Sequence, residues 1–191
     1  MNLSKSTLTN PISVEDLLRV REVYRELRIE RNDIFGDLPH GTKWLRMRYL
    51  KEGTVRTLAS VSFNPPTLSI HKMAFDYLHP LLLKGLIHHE LLHLTMGADV
   101  GHKGEFRQVE KEWSRYKEYL THRKRFVKKI QEHEYREGRL LKYQCINCRE
   151  VVYRKRKLKP ESACTKCCDL FNNGNYSETY SFITVGKSGR Y

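Results

Sequence analysis

Residues 81–95 read LLLKGLIHHELLHLT. Its leucines recur at helical spacing, which predicts one helix with apolar residues available to bury the face away from the histidines. At about 100° per residue, His89 and His93 lie within roughly 40° of each other on adjacent turns. Both imidazoles can therefore reach one point, with Glu90 beside them. His88 has no histidine four residues later, so we expect it to be structural.

The spacing His-Glu-x-x-His is typical of a zinc site with hydrolytic chemistry. Zinc accepts imidazole nitrogens in a tetrahedral shell, and it lowers the pKa of a water bound to it. Glu90 is placed to hydrogen-bond that water and take its proton. The motif therefore predicts His89 and His93 as zinc ligands and Glu90 as the catalytic base for attack on a peptide carbonyl. Two histidines with only structural contacts are the alternative.

A third protein ligand is expected, because a catalytic zinc usually has three and keeps one open position. His102 is the preferred candidate, since it lies beyond a glycine-containing turn at residues 97–101 that can bring the chain back to the metal. Glutamates on the following segment are the alternative: Glu105, Glu110 and Glu112. Three residues are candidates for stabilising the oxyanion: His71, Arg107 and Tyr116.

The flanking sequence predicts an α+β fold. Ser13 and Asp16 are typical of a helix start, and this helix should run to about Arg31. Its expected buried face consists of Val14, Leu17, Leu18, Tyr24 and Leu27. Segments rich in β-branched and aromatic residues, separated by glycine and proline turns, predict a small antiparallel sheet. These segments are residues 44–50, 55–63 and 67–70.

Helical spacing resumes after the glycine-containing turn. It predicts a single helix through Phe106, Val109, Trp113, Tyr116 and Leu120. Gly138 is a predicted stop, residues 140–145 and 150–154 are expected to be extended, and a polar tail is expected from Asn172 onward.

All five cysteines lie between residues 145 and 168. Four of them form two Cys-x-x-Cys pairs: Cys145 with Cys148, and Cys164 with Cys167. This spacing predicts a zinc ribbon, in which four thiolates hold together a module too small to fold on an apolar core alone. Two disulfides are the alternative, which the expected intracellular location disfavours. Cys168 is expected to be a bystander.

The positive charge is concentrated in one region. The net charge is +13, and residues 103–160 hold 19 of the 35 Lys and Arg residues but only 8 of the 22 Asp and Glu residues. Such a region attracts polyanions and gains affinity through counterion release, which makes nucleic acid the leading candidate partner. An acidic membrane surface or a solvated helix face is the alternative. Phosphate contacts are expected from Arg154, Lys155, Arg156, Lys157 and Lys159, and Tyr143, Tyr153 and Phe171 are candidates for base stacking or for core.

No apolar run in the sequence has the length of a membrane span, and residues 1–20 lack a secretory apolar segment. We therefore expect a monomeric protein of the cytoplasm or nucleoid, or of the nucleus in a eukaryote, with no membrane partner.

The residues around the motif resemble the SprT-like family, whose eukaryotic member is the Spartan protease. The resemblance rests on His89-Glu90-x-x-His93 followed by Gly101-His102-Lys103-Gly104-Glu105-Phe106, and it covers roughly residues 14–168. In that family the residue matching His102 is the third zinc ligand, and the one matching Glu90 is the catalytic base. The resemblance implies a zincin-like core and, for Spartan-like members, DNA-dependent cleavage of proteins covalently trapped on DNA.

The resemblance also implies a domain organisation, with an SprT-like metallopeptidase domain in residues 1–137 and a zinc ribbon with a polar tail in residues 138–191. The chain shows no ubiquitin-binding or sliding-clamp-binding motif, so it is more similar to the compact microbial members. The expected function is a zinc endopeptidase with one catalytic and one structural zinc, acting on proteins on single-stranded or distorted DNA. A non-catalytic nucleic-acid-binding zinc protein is the alternative.

Overall fold

A computed structural model describes residues 11–97 and 99–186, and the chain divides into two compact units, Met1–Val127 and Lys128–Tyr191. The helices are α1 Val14–Glu30, α2 Asn32–Phe35, α3 Pro80–Met96, α4 Gly104–Glu112, α5 Tyr116–Arg136 and α6 Thr165–Phe171. The strands are β1 Arg46–Tyr49, β2 Ala59–Phe63, β3 Pro66–Ile70, β4 Leu141–Cys145, β5 Val151–Arg154 and β6 Phe182–Thr184. The α+β class predicted from the sequence is confirmed, whereas the domain boundary after residue 137 stays a prediction.

Helix α1 begins where the sequence predicts, because the Ser13 side chain accepts a hydrogen bond from the Asp16 amide at 3.1 Å. Its buried residues are Val20, Tyr24 and Leu27. The predicted buried face is wrong at Val14 and Leu18, whose exposed fractions are 75% and 56%. The reason is geometric: these two positions point roughly 120° and 160° around the helix from Val20.

The sheet of the first unit has the order β1-β3-β2. Strands β2 and β3 are antiparallel neighbours across the Asn64-Pro65 turn, as predicted, but β1 pairs with β3 in parallel. The expectation of a purely antiparallel sheet is therefore wrong. Turn residues determine the pairing of two adjacent strands, whereas β3 enters between β1 and β2 through contacts distant in sequence. As a result, β2 lies at an edge of this sheet.

Helix α3, which carries the His-Glu-x-x-His motif, is buried on most of its surface. His79 caps its start and Pro80 occupies its first turn, where a missing N–H costs nothing. At Gly85 the chain touches α5: a Cβ atom there would lie 2.1 Å from the ring of Tyr119. The helix stops at Gly97, whose φ of +104° suits glycine.

The single helix predicted from Phe106 to Leu120 is wrong, because two helices, α4 and α5, cover this region. Between them Trp113 has an extended backbone, with φ −62° and ψ 120°. Its indole N–H donates to Glu30 Oε1 at 2.9 Å, and its ring stacks on His88 at 4.5 Å. Burial of this large side chain turns the chain where periodicity alone predicts continuity.

In the second unit, a sheet of order β5-β4-β6 is antiparallel throughout. The two extended segments predicted after Gly138 are confirmed as β4 and β5. The polar tail predicted from Asn172 is wrong in part, since β6 pairs with β4 and Tyr180 and Phe182 pack on buried cysteines. A strand of three residues in a polar stretch shows too little alternation to be detected. None of the helices described here is both long and apolar enough to cross a bilayer.

Candidate active site and metal centres

Three histidines converge in the first unit. Helix α3 supplies His89 and His93, and the loop between α3 and α4 supplies His102. The Nε2 atom of His102 lies 3.1 Å from the Nε2 atoms of both others. Zn–N bonds of about 2.0–2.1 Å in a tetrahedral shell separate ligand nitrogens by about 3.3 Å. The three side chains therefore have the spacing of ligands to one zinc ion, whereas Glu105 and Glu112 are exposed elsewhere on α4.

The sequence leaves Glu110 as a possible metal ligand, but in the structure its carboxylate contacts the far side of the His89 ring. It is almost fully buried, and its Oε1 accepts a hydrogen bond from His89 Nδ1 at 2.7 Å. Arg107 donates to its Oε2 at 2.6 Å. Burial alone would raise the pKa of Glu110, but His89 and Arg107 outweigh it and hold that pKa below its usual value. Because the carboxylate only accepts, His89 carries its proton on Nδ1, which leaves the Nε2 lone pair free for a metal.

The other two imidazoles are also suited to metal binding. Burial, followed by the neighbouring His89, lowers the pKa of His93 to about 4 and lowers that of His102. Neutral imidazole is the form that binds a metal. At neutral pH these two rings are therefore neutral, and each offers a lone pair to a metal.

Glu90 lies beside the three histidines and is 5% exposed. Burial raises the pKa of its carboxyl to about 7, against the lowering effects of His89 and of a backbone hydrogen bond from Val61. A carboxyl with a pKa near 7 can both accept and return a proton at neutral pH. Glu90 therefore stays the candidate for the catalytic base that the sequence predicts.

A cleft of about 620 Å³ opens onto this cluster. One side is the edge strand β2, through Ala59, Ser60, Val61 and Phe63. The α5 side supplies Tyr119, Leu120 and Arg123, and the histidines, Glu90 and Arg107 also line it. The cleft is large enough for a short stretch of peptide and lies directly over the candidate zinc ligands.

The three oxyanion candidates are in different places. Arg107 lines the cleft and donates to the Tyr116 hydroxyl at 2.9 Å, so these two are adjacent. His71 caps a short 3₁₀ turn by accepting from the Met73 amide, and its ring packs on Phe126. Neither His71 nor Tyr116 lines the described cleft, so Arg107 is the oxyanion candidate that lies at the site.

His88 lies in the core, as expected from its lack of a histidine partner. It is 1% exposed, stacks on Trp113 and meets Phe35 edge-on. Burial lowers its pKa to about 3, so the ring is neutral at physiological pH.

The four paired cysteines form a second cluster of possible metal ligands. The Sγ atoms of Cys145 and Cys167 are 3.8 Å apart, and those of Cys148 and Cys164 are 3.7 Å apart. A disulfide needs about 2.05 Å, whereas thiolates around one zinc ion lie about 3.8 Å apart. The disulfide alternative does not fit these distances. Cys168 is buried but lies outside the group of four, as expected.

Neighbouring residues donate hydrogen bonds to the cysteines of this cluster. Arg149 adopts φ 61°, which allows its amide to donate to the Cys145 carbonyl at 3.1 Å. Asn147 Nδ2 donates to Cys167 Sγ at 3.5 Å. A hydrogen bond with the backbone of Glu150 lowers the pKa of the Cys148 thiol to about 7. This shift favours the thiolate, which is the form that binds a metal.

The predicted phosphate contacts form one exposed basic cluster at the end of β5, which consists of Arg154, Lys155, Arg156, Lys157 and Lys159. Tyr143 and Tyr153 are buried, which excludes both as surfaces for base stacking. Phe171 is 64% exposed and stays a candidate for base stacking.

No family model and no curated protein matches this sequence. Among solved structures, the chain is similar to the metallopeptidase zymogen jannalysin of Methanocaldococcus jannaschii, with a TM-score of 0.44 and 18% identity over 58% of this chain and 96% of that one. It is also similar to the zymogen abylysin of Pyrococcus abyssi, with a TM-score of 0.36 and 22% identity over 62% and 93%.

Proposed function

We propose that this protein is a zinc-dependent endopeptidase of the SprT-like type. The observation that carries the proposal is the convergence of three imidazole nitrogens beside the buried carboxyl of Glu90 at an open cleft. A purely structural zinc site does not require a carboxyl with a pKa near 7 at its side. Zinc, when bound, would supply Lewis-acid polarisation and a water acidic enough to react near neutral pH.

The chain's own residues divide the remaining work. His89, His93 and His102 would hold the ion, and Glu110 fixes the ring of His89 from behind. Glu90 takes a proton from the attacking water and returns it to the leaving amine, for which a pKa near 7 is suited. Arg107 is placed at the cleft wall to face negative charge that develops on the carbonyl oxygen.

Strand β2 would bind the substrate backbone. It lies at a sheet edge in the described fold, and four of its residues line the cleft. An edge strand presents unpaired N–H and C=O groups, so an extended peptide can add to it as a further strand. A peptide bound this way passes beside Glu90, whose carboxyl neighbours the backbone of Val61 on β2.

The proposal extends to DNA as a partner and to a structural zinc in a C-terminal ribbon. Its support is the proximity of the four Sγ atoms, which lie within 4.8 Å of one another, and the exposed basic cluster of residues 154–159. DNA held by this cluster would bring proteins bound or crosslinked to it near the peptidase. The compartment that follows is the cytoplasm or nucleoid, or the nucleus in a eukaryote, and the active form is a monomer.

The test compares wild type with Glu90→Gln on a DNA-binding protein substrate, with and without single-stranded DNA. Cleavage by wild type that DNA stimulates and that Glu90→Gln abolishes is the expected result. Glu105→Gln is the matched control, because the exposed carboxylate of Glu105 lies outside the cleft. This variant should cleave the substrate as wild type does. Firm DNA binding and zinc binding without any cleavage would instead establish the non-catalytic binding protein.

A further inference from the structure

The acidic and basic side chains that line the cleft are not balanced in charge. The basic ones are Arg56, Arg107 and Arg123, and the acidic ones are Glu90 and Glu110. Arg107 and Glu110 pair with each other at 2.6 Å, and burial raises the pKa of Glu90 to about 7. The positive charges of Arg56 and Arg123 are therefore not neutralised by any carboxylate of the described wall.

Both of these arginines are free to meet a ligand. Arg56 and Arg123 are exposed, and no hydrogen bond or ion pair to a described residue holds either guanidinium. On α5, the positions three and four residues from Arg123 in both directions hold only aromatic and aliphatic residues. Acidic residues at these spacings are the usual partners of a helical arginine, so Arg123 has no such partner on its own helix.

Arg123 lies close to the candidate zinc ligands. Burial is the main cause that lowers the pKa of His102, and the positive charge of Arg123 adds to it. Arg123 is also about one helical turn from Tyr119, the residue of α5 whose ring packs against α3. Its guanidinium therefore stands where α5 approaches the helix that carries His89 and His93.

Arg56 belongs to the other side of the cleft. It lies three residues before strand β2 begins at Ala59, and residues 56–61 line the cleft without a break. An extended peptide that adds to β2 would therefore have Arg56 on one side and Arg123 on the other. Apolar residues of the same wall, such as Leu58 and Phe63, leave these guanidinium groups as its chargeable contacts beside the metal site.

We propose that Arg56 and Arg123 select peptide substrates that carry aspartate or glutamate near the scissile bond. The inference rests on the proposed peptidase function and gives it a substrate class. A guanidinium donates two parallel hydrogen bonds to a carboxylate, whereas a basic side chain offers no acceptor and is repelled. A peptide is favoured over a DNA strand here, because the edge of β2 presents backbone groups that pair with another peptide backbone.

The first experiment measures peptide binding without turnover. Labelled peptides carry Glu, Gln or Lys at each position in turn and are titrated against the Glu90→Gln protein, with fluorescence anisotropy as the readout. At one or more positions the Glu peptide should bind about three- to tenfold more tightly than its Gln counterpart. Arg56→Glu and Arg123→Glu introduced together should reverse this order, so that the Lys peptide binds best. Arg56→Gln with Arg123→Gln should remove the preference, and this pair remains informative if the charge reversal unfolds the protein.

The matched control makes the same change in net charge elsewhere on α5. Lys124→Glu with Arg125→Glu alters two exposed residues next to Arg123 that do not line the described cleft. This pair should keep the preference for the Glu peptide. Equal affinity for Glu and Gln peptides at every position would overturn the proposal, as would loss of the preference in the control pair. Weaker binding of single-stranded DNA in the Arg56 and Arg123 variants, with an unchanged order of peptides, would assign both arginines to DNA and also overturn it.

Cleavage of the same peptides by wild type distinguishes this inference from the function on which it rests. We expect kcat/KM to follow the order of binding, with the Glu peptides cleaved fastest. If the catalytic proposal fails, wild type cleaves none of the peptides, while the preference for Glu persists in the binding assay. If only the present inference fails, wild type cleaves the Glu and Gln peptides with equal kcat/KM.

Discussion

Replacement of Glu110 by glutamine tests whether the buried carboxylate sets the zinc affinity of His89. The glutamine oxygen can still accept from His89 Nδ1, but its amide nitrogen meets the guanidinium of Arg107, which is also a donor. The variant therefore loses one charge-assisted hydrogen bond and the negative charge that strengthens the other. Glu110 does not touch the ion itself, so the effect must pass through the imidazole.

Loss of a carboxylate behind a metal-bound histidine typically costs 10–100-fold in affinity, or about 1.4–2.7 kcal/mol. We expect the zinc dissociation constant of the histidine site in Glu110→Gln to rise by that factor. The assay is competition with a chromophoric chelator, followed by peptidase activity at saturating zinc. Glu112→Gln is the control, since Glu112 is exposed on the same helix. Zinc affinity within twofold of wild type in Glu110→Gln would refute the reasoning.

Three further changes address packing, the second unit and the cysteine cluster. Gly85→Ala puts a Cβ against the ring of Tyr119 and should destabilise the protein by about 1–3 kcal/mol in thermal melts; an unchanged melting temperature would contradict this. The hydrogen bond from Arg139 holds the pKa of Glu134 below its ordinary value of 4.5. The ionised Glu134 therefore stabilises the folded state above pH 4.5, and this contribution is lost as the pH falls below 4.5. Urea unfolding should therefore show Glu134→Gln less stable than wild type at pH 7 by about 1–3 kcal/mol, with the gap narrowing toward pH 3; a gap independent of pH would oppose the assignment. Cys164→Ser should release one zinc ion and unfold the second unit while histidine-site binding persists, and retention of that ion would argue against four-thiolate coordination.

Features set by neighbouring residues could be predicted from the sequence. The sequence predicts the helix with the His-Glu-x-x-His motif at residues 81–95, and it spans Pro80–Met96, because its leucines and its capping signals all lie within the segment. The antiparallel pairing of β2 and β3 is likewise a consequence of the turn between them. The meeting of His89, His93 and His102 was predictable for the same reason, since a short loop connects them.

Features set by distant contacts could not be predicted in this way. The parallel pairing of β1 with β3 and the third strand of the second sheet depend on which segments the folded chain brings together. The break at Trp113 depends on its burial against His88 and Glu30. The sequence leaves Glu110 among the possible metal ligands. A single sequence does not distinguish a carboxylate that binds a metal from one that accepts a hydrogen bond from a histidine.

The break at Trp113 and the position of Glu110 are physically connected. Glu110 lies in the last turn of α4, three residues before Trp113, and both side chains are buried. Were α4 and α5 one straight helix, Trp113 would lose its contacts with His88 and Glu30. Trp113 stacks on His88 and Glu110 binds His89, so this short stretch of chain packs on two adjacent residues of α3.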